Sequence, residues 1–233
     1  MDFTEDPAQS AAYLELKIKQ VAAHPEEDGN LRVMITTSRG EIRGILHPCR
    51  KQAAGAIFVG GAMGGFQGPS NDIYGRLGDR LRANVSSLRL HYRHPGKFEE
   101  CVLDVLAGVS LLRGLGAIAG IALIGHSFGG AVVIKAGELS DGVAGVAALS
   151  PQLYGTRTVE RLHKPLLLVH GMRDTVLDHA ASEDIHSRAI EPKRLVLYAE
   201  SDHGLKQNAG ELEELLASWI AEIASSRPGP STN

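Results

Sequence analysis

The sequence predicts an α/β domain, a mostly parallel, doubly wound sheet of about eight strands flanked by helices. Three observations carry this. Short runs rich in Val, Ile and Leu alternate with helix-length segments along most of the chain. The runs are apolar throughout rather than alternating with polar residues, the pattern of strands covered on both faces. The 233 residues, 43% of them hydrophobic, suffice for one large domain with a buried core.

The elements can be justified in order. Residues 9–23 place Leu14, Ile18 and Val21 at helical spacing, which predicts a helix ended by the polar stretch His24-Pro25-Glu26-Glu27-Asp28-Gly29-Asn30. Two β-like runs, 31–38 and 41–47, flank a short turn at Arg39-Gly40. Apolar strand runs then follow at 56–59, 85–91, 121–124, 143–149, 166–169 and 195–198, separated by helical segments near 70–83, 97–114, 128–139, 179–190 and 207–224. In the last of these, Leu212, Leu215, Leu216, Trp219, Ile220 and Ile223 fall on one face and the glutamates lie off it. The expected organisation is an N-terminal helical extension over 1–30, one domain over 31–224 and a flexible tail over 225–233, rich in Pro, Gly, Ser and Thr.

Composition narrows the function. With 24 Lys and Arg against 27 Asp and Glu, the net charge of −3 gives no electrostatic case for nucleic acid or an anionic membrane as partner. Two cysteines, Cys49 and Cys101, cannot build a disulfide framework, and both read as small apolar side chains of a cytoplasmic protein. Acidic residues among the first twenty argue against a secretory leader. Residues 114–134 lack Asp, Glu, Lys and Arg, but six glycines and the pair His126-Ser127 read as a buried strand turning into a buried helix, not a membrane span.

The sharpest motif is Gly125-His126-Ser127-Phe128-Gly129-Gly130, directly after the 121–124 strand and opening the next helix. A serine at such a tight turn has a strained backbone and an exposed hydroxyl, and small residues two before and two after it avoid clashes. That hydroxyl needs a base, and the base needs an orienting acid. The strand 166–169 leads into His170-Gly171-Met172-Arg173-Asp174, and the strand 195–198 leads into Ser201-Asp202-His203-Gly204. Parallel strands therefore carry Ser127, Asp174 and His203 to the same carboxyl edge of the sheet, where open α/β sheets build their sites. The order nucleophile, acid, base is the one this turn requires. Asp202 adjoins His203 and would point to the opposite side of an extended chain, and Asp178 lies deeper in its loop, so Asp174 is the preferred acid.

These three motifs, in this order and spacing over about residues 31–224, resemble the α/β-hydrolase superfamily of serine hydrolases. The compact chain and the phrase Leu90-His91-Tyr92-Arg93-His94-Pro95-Gly96 are similar to dienelactone-hydrolase-like small esterases. Dienelactone hydrolases proper carry a cysteine nucleophile where this chain has Ser127, so the resemblance implies the α/β-hydrolase fold and the broader esterase activity.

Acyl transfer also needs oxyanion donors. One is expected to be the N–H of Phe128, the residue after the nucleophile; the other belongs to the loop Gly60-Gly61-Ala62-Met63-Gly64-Gly65, with Ala62 first by position and Met63 as fallback. No register of that loop completes the Gly-x-Gly-x-x-Gly dinucleotide fingerprint. His91 and His94 lack a partner pair at ligand spacing; His126 reads as packing or lining the pocket, and His170 and His179 as structural residues. Neither a cofactor nor a metal is expected. Only about 16 residues separate the strands ending at 149 and beginning at 166, too few for a lid domain. The expected partner is a small acyl substrate (an ester, thioester or lactone) in an open cleft, with Phe66, Phe128, Leu153 and Tyr154 as candidate walls. Two other readings share the fold: a non-catalytic ligand receptor, and an acyltransferase or perhydrolase.

Overall fold

The computed structural model describes residues 15–49, 54–117 and 119–225. Nine strands form one sheet: β1 (Ile18–Pro25), β2 (Leu31–Thr37), β3 (Gly40–His47), β4 (Ala54–Val59), β5 (Val85–His91), β6 (Ile121–His126), β7 (Val143–Leu149), β8 (Leu166–Gly171) and β9 (Lys193–Tyr198). Their spatial order is β1-β2-β3-β5-β4-β6-β7-β8-β9. The strands β5, β4, β6, β7, β8 and β9 are mutually parallel, and β1, β2 and β3 join them as an antiparallel meander through β3 and β5. The helices are α1 (Pro69–Leu81), α2 (Phe98–Gly114), α3 (Phe128–Leu139), α4 (Ala180–Arg188) and α5 (Ala209–Ser225).

Every residue of β4 and β8 is buried, as expected for strands covered on both faces. One core layer packs α2, α3 and α4 onto the sheet through residues such as Val105, Val132 and Ile185. The other packs α1 and α5 through Ile73, Leu77, Leu216 and Ile220. Each fully buried aliphatic or aromatic side chain contributes about 1.5–3 kcal/mol, so the two layers dominate the stabilisation. Cys49 and Cys101 are both buried free thiols, and burial pushes the Cys101 thiol up to about 12. The charge-free stretch 114–134 divides into β6 and α3, and no described helix is long and apolar enough to cross a membrane.

One expectation is corrected. Where the spacing of Leu14, Ile18 and Val21 predicts a helix over 9–23, residues 18–25 form β1, paired with β2 in antiparallel register. Residues 9–14 of that helix and 1–8 of the expected extension lie outside the described residues, as do 226–233 of the expected tail. The reason is local. Seven of the eight β1 residues are exposed, so the strand rests on backbone hydrogen bonds to the open edge of β2 and leaves no polar–apolar alternation to read.

Candidate active site

The nucleophile turn is built by sterics. Ser127 sits between β6 and α3 with φ 59° and ψ −121°, a conformation that costs an L-residue about 1–3 kcal/mol. A Cβ on Gly125 would run into the carbonyl of Gly129, and a Cβ on Gly129 would run into the carbonyl of Gly60. Both glycines are therefore demanded by close backbone approach, and the second fixes how α3 docks on the loop that follows β4. The Ser127 N–H donates to Leu149 O at 2.8 Å, which anchors the turn to the end of β7.

Asp174 and His203 meet as a pair. The His203 Nδ1–H donates to Asp174 Oδ2 at 2.6 Å, which leaves the other ring nitrogen of His203 as the basic one. Oδ1 of Asp174 accepts the N–H groups of Val176 and Leu177, each at 2.8 Å. Burial works against the carboxylate charge, but the Leu177 and Val176 donors and the His203 ring outweigh it and hold the Asp174 pKa below its ordinary value. Asp202 instead accepts the N–H of Gly204, and Asp178 that of Ala180. Ser127 and His203 line one cavity of about 660 Å³ at the carboxyl edge. No hydrogen bond joins them among the described residues; such bonds commonly tighten only when substrate is bound.

Two histidines touch this arrangement: His126, read from sequence as packing or lining the pocket, borders the cavity, and His170, read as structural, reaches Asp174. The His126 Nε2–H donates to the carbonyl of His203 at 2.8 Å, and the two rings lie 4.7 Å apart. Burial depresses the His126 pKa to about 4, so the ring is neutral beside the base. His170 is fully buried; its Nε2–H reaches both Asp174 Oδ2 at 3.1 Å and Leu177 O at 3.0 Å, while its Nδ1 accepts the hydroxyl proton of Ser182 at 2.7 Å. Burial lowers the His170 pKa as well, in keeping with a neutral donor. Sequence offers one signal for each. His126 adjoins the nucleophile on the same edge, and His170 precedes Asp174 by four residues at the end of the same strand.

The loop after β4 closes the other side. Ala62 lines the cavity, and its N–H makes no hydrogen bond among the described residues, where the loop's own backbone bond runs from Gly64 N to Gly61 O. The N–H of Phe128, at the first position of α3, has no intrahelical partner. The Gly65 N–H donates to His91 Nδ1 at 2.9 Å, and the Tyr92 hydroxyl to Gly60 O at 3.3 Å, so β5 and its following residue shape this loop. Met63 also borders the cavity but is 86% exposed.

A feature absent from the sequence pattern ties the base into place. Ser70, Asn71 and Asp72, at the entry to α1, all adopt left-handed backbone with φ of 52°, 55° and 65°. The Ser70 N–H donates to Gly204 O at 3.0 Å and its hydroxyl to Leu205 O at 2.9 Å, clamping the residues just after His203. None of the three is glycine, so composition gave no cue.

The expected walls divide. Phe66 lines the cavity of Ser127, together with Arg89 and Asp72. Phe128 and Tyr154 instead border a neighbouring hollow of about 710 Å³ with Phe98, and Leu153 lines neither. The reason is that α3 carries the Phe128 ring to the α2 side of the sheet, edge-on to Phe98. The segment 150–165 holds one short three-ten turn, Val159–Arg161, and no lid domain.

No family model matches the chain, and no curated protein matches it. Solved structures do. A serine hydrolase without lid from Xanthomonas campestris superposes with TM-score 0.70 at 16% identity, covering 88% of this chain and all of that one. An α/β serine hydrolase homologue from Coxiella burnetii gives TM-score 0.70 at 20% identity, covering 84% and 98%. Est1E from Butyrivibrio proteoclasticus gives 0.67 at 17%, covering 89% and 100%. The chain has the α/β-hydrolase fold.

Proposed function

We propose that this α/β-hydrolase-fold chain is a serine hydrolase that cleaves a small carboxylic ester, thioester or lactone through an acyl-enzyme on Ser127. The observation that carries the reading is the Asp174–His203 hydrogen bond, formed on the cavity that also holds Ser127 in its strained turn. Several solved neighbours are described as serine hydrolases or esterases, among them an acetyl xylan esterase, and this supports ester chemistry for the same fold.

The reaction runs in two steps. His203, its Nδ1 proton committed to Asp174, takes the Ser127 proton as the hydroxyl attacks the carbonyl carbon. Asp174 holds the ring orientation and stabilises the imidazolium that forms. The N–H groups of Phe128 and Ala62 receive the oxyanion, a role worth about 3–4 kcal/mol per strong donor. His203 then passes its proton to the leaving group, and afterwards activates water to release the acyl group. The lidless segment 150–165 leaves the cleft open, which favours small, soluble substrates.

Labelling with a fluorophosphonate probe tests the assignment. Wild-type protein is expected to label, Ser127→Ala is expected not to, and the variant should lose p-nitrophenyl acetate turnover by more than about a thousandfold with an unchanged melting temperature. Undiminished turnover in Ser127→Ala would sink the reading.

A further inference from the structure

The cavity of Ser127 and His203 continues sideways along the sheet to a far wall formed by Arg89 and Ile45. Arg89 of β5 lies in register with Phe58 of β4, and Phe58 with Ile124 of β6, three residues before Ser127. Two strand spacings, about 10 Å, therefore separate the strand bearing Arg89 from the strand that ends at the nucleophile. The Arg89 side chain is only 11% exposed, yet its pairing is incomplete. Its one hydrogen-bond partner among the described residues is Asp72, 3.4 Å from Nη1, a long contact with a carboxylate that is 43% exposed. Its Nε is buried with no acceptor among the described residues. A guanidinium withdrawn from water normally has its donors satisfied. Among the residues lining the cavity, Arg89 is the one fixed cation and Asp72 the one acid.

We propose that Arg89 is an anion-recognising subsite, and that the ester cleaved at Ser127 carries a carboxylate remote from its scissile carbonyl, on the β5 side of the cleft. This rests on the serine-hydrolase reading and adds the substrate class to it. Arginine suits the task because its planar fork matches a carboxylate and stays charged. The bound carboxylate competes with Asp72, whose single long contact is the weaker partner.

The test compares kcat/KM within matched ester pairs. One series uses p-nitrophenyl hemiesters of dicarboxylic acids from adipate to sebacate, against their methyl-capped counterparts. The other uses butyrate esters of ω-hydroxy acids, again free and capped, which places the anion on the leaving group. The free acid is expected to be preferred by at least about tenfold at the best length in one series. Arg89→Gln should bring that ratio towards one, and Asp72→Asn should raise it. Equal rates within every pair, or a preference that survives Arg89→Gln, would overturn the proposal. If Arg89→Gln fails to fold, an unchanged ratio in Asp72→Asn overturns it instead. Failure of wild-type protein to hydrolyse p-nitrophenyl acetate, measured first, would overturn the serine-hydrolase reading and the subsite with it. Hydrolysis of that ester without anion preference removes the subsite alone.

Discussion

Asp174 is held by more groups than a two-residue description of acid and base suggests. Oδ1 accepts two backbone N–H groups, and Oδ2 is shared between His203 and His170. Ser182 in turn sets the tautomer of His170 by donating to its Nδ1. A hydrogen bond to a charged group is worth about 1.5–3 kcal/mol, so loss of the His170 donor should be felt in the chemical step. His170→Leu is expected to lower kcat roughly tenfold with KM little changed, measured on p-nitrophenyl esters after a circular-dichroism melt shows that the variant folds. An unaltered kcat would mean that the two N–H groups of Val176 and Leu177 position Asp174 unaided. The role of His170 could not be read from sequence. Its four-residue spacing from Asp174 is visible, but the turn that brings the ring back onto the carboxylate depends on the fold of 171–177.

Between elements, the close approaches decide what is tolerated. The β6–α3 turn docks on the loop after β4 because Gly129 has no side chain. A Cβ there would collide with Gly60 O and lie 3.1 Å from both Val59 O and the Tyr92 hydroxyl. Gly129→Ala is therefore expected to cost about 1–3 kcal/mol by overpacking, and a calorimetric scan should register it as a melting temperature lower by roughly 2–12 °C. Gly210, in α5 with open space around its Cβ position, is the control; Gly210→Ala should be neutral or slightly stabilising. Behind the same region, Arg93 is buried against Asp104 and Glu100 of α2 and donates to Arg39 O at the β2–β3 turn, so three elements meet at one guanidinium. The alternation of parallel strands with α1–α5 was legible because apolar runs and the turns between them are local signals. The edge strand β1 was not, since its residues bury almost nothing.

Across the whole molecule, burial of neutral histidines sets a pH dependence. Burial lowers the pKa of His47, His126 and His170 below the ordinary 6.5, and that of His126 to about 4. Between pH 6.5 and 4 the unfolded chain takes up a proton at His126 that the folded state refuses, so stability falls as pH falls through this window. For His126 the loss approaches about 3 kcal/mol at the lower end, and the other two act in the same direction. Urea unfolding at pH 7 and pH 4.5 should show the decrease, and His126→Asn should make it smaller. Equal pH sensitivity in that variant would place the effect elsewhere. Sequence alone determined the alternation of buried strands and helices, the glycine-flanked turn at Ser127, and the carriage of Asp174 and His203 to the same edge. These are consequences of hydrophobic periodicity and of parallel strands that all end on one side. Only the tertiary structure decided the pairing of β1, the left-handed turn at 70–72 that clamps the His203 loop, the histidines around Asp174 and His203, and the place of Arg89 in the cleft. Each of these depends on contacts between residues far apart in the chain, where local propensity carries no information about which groups will meet.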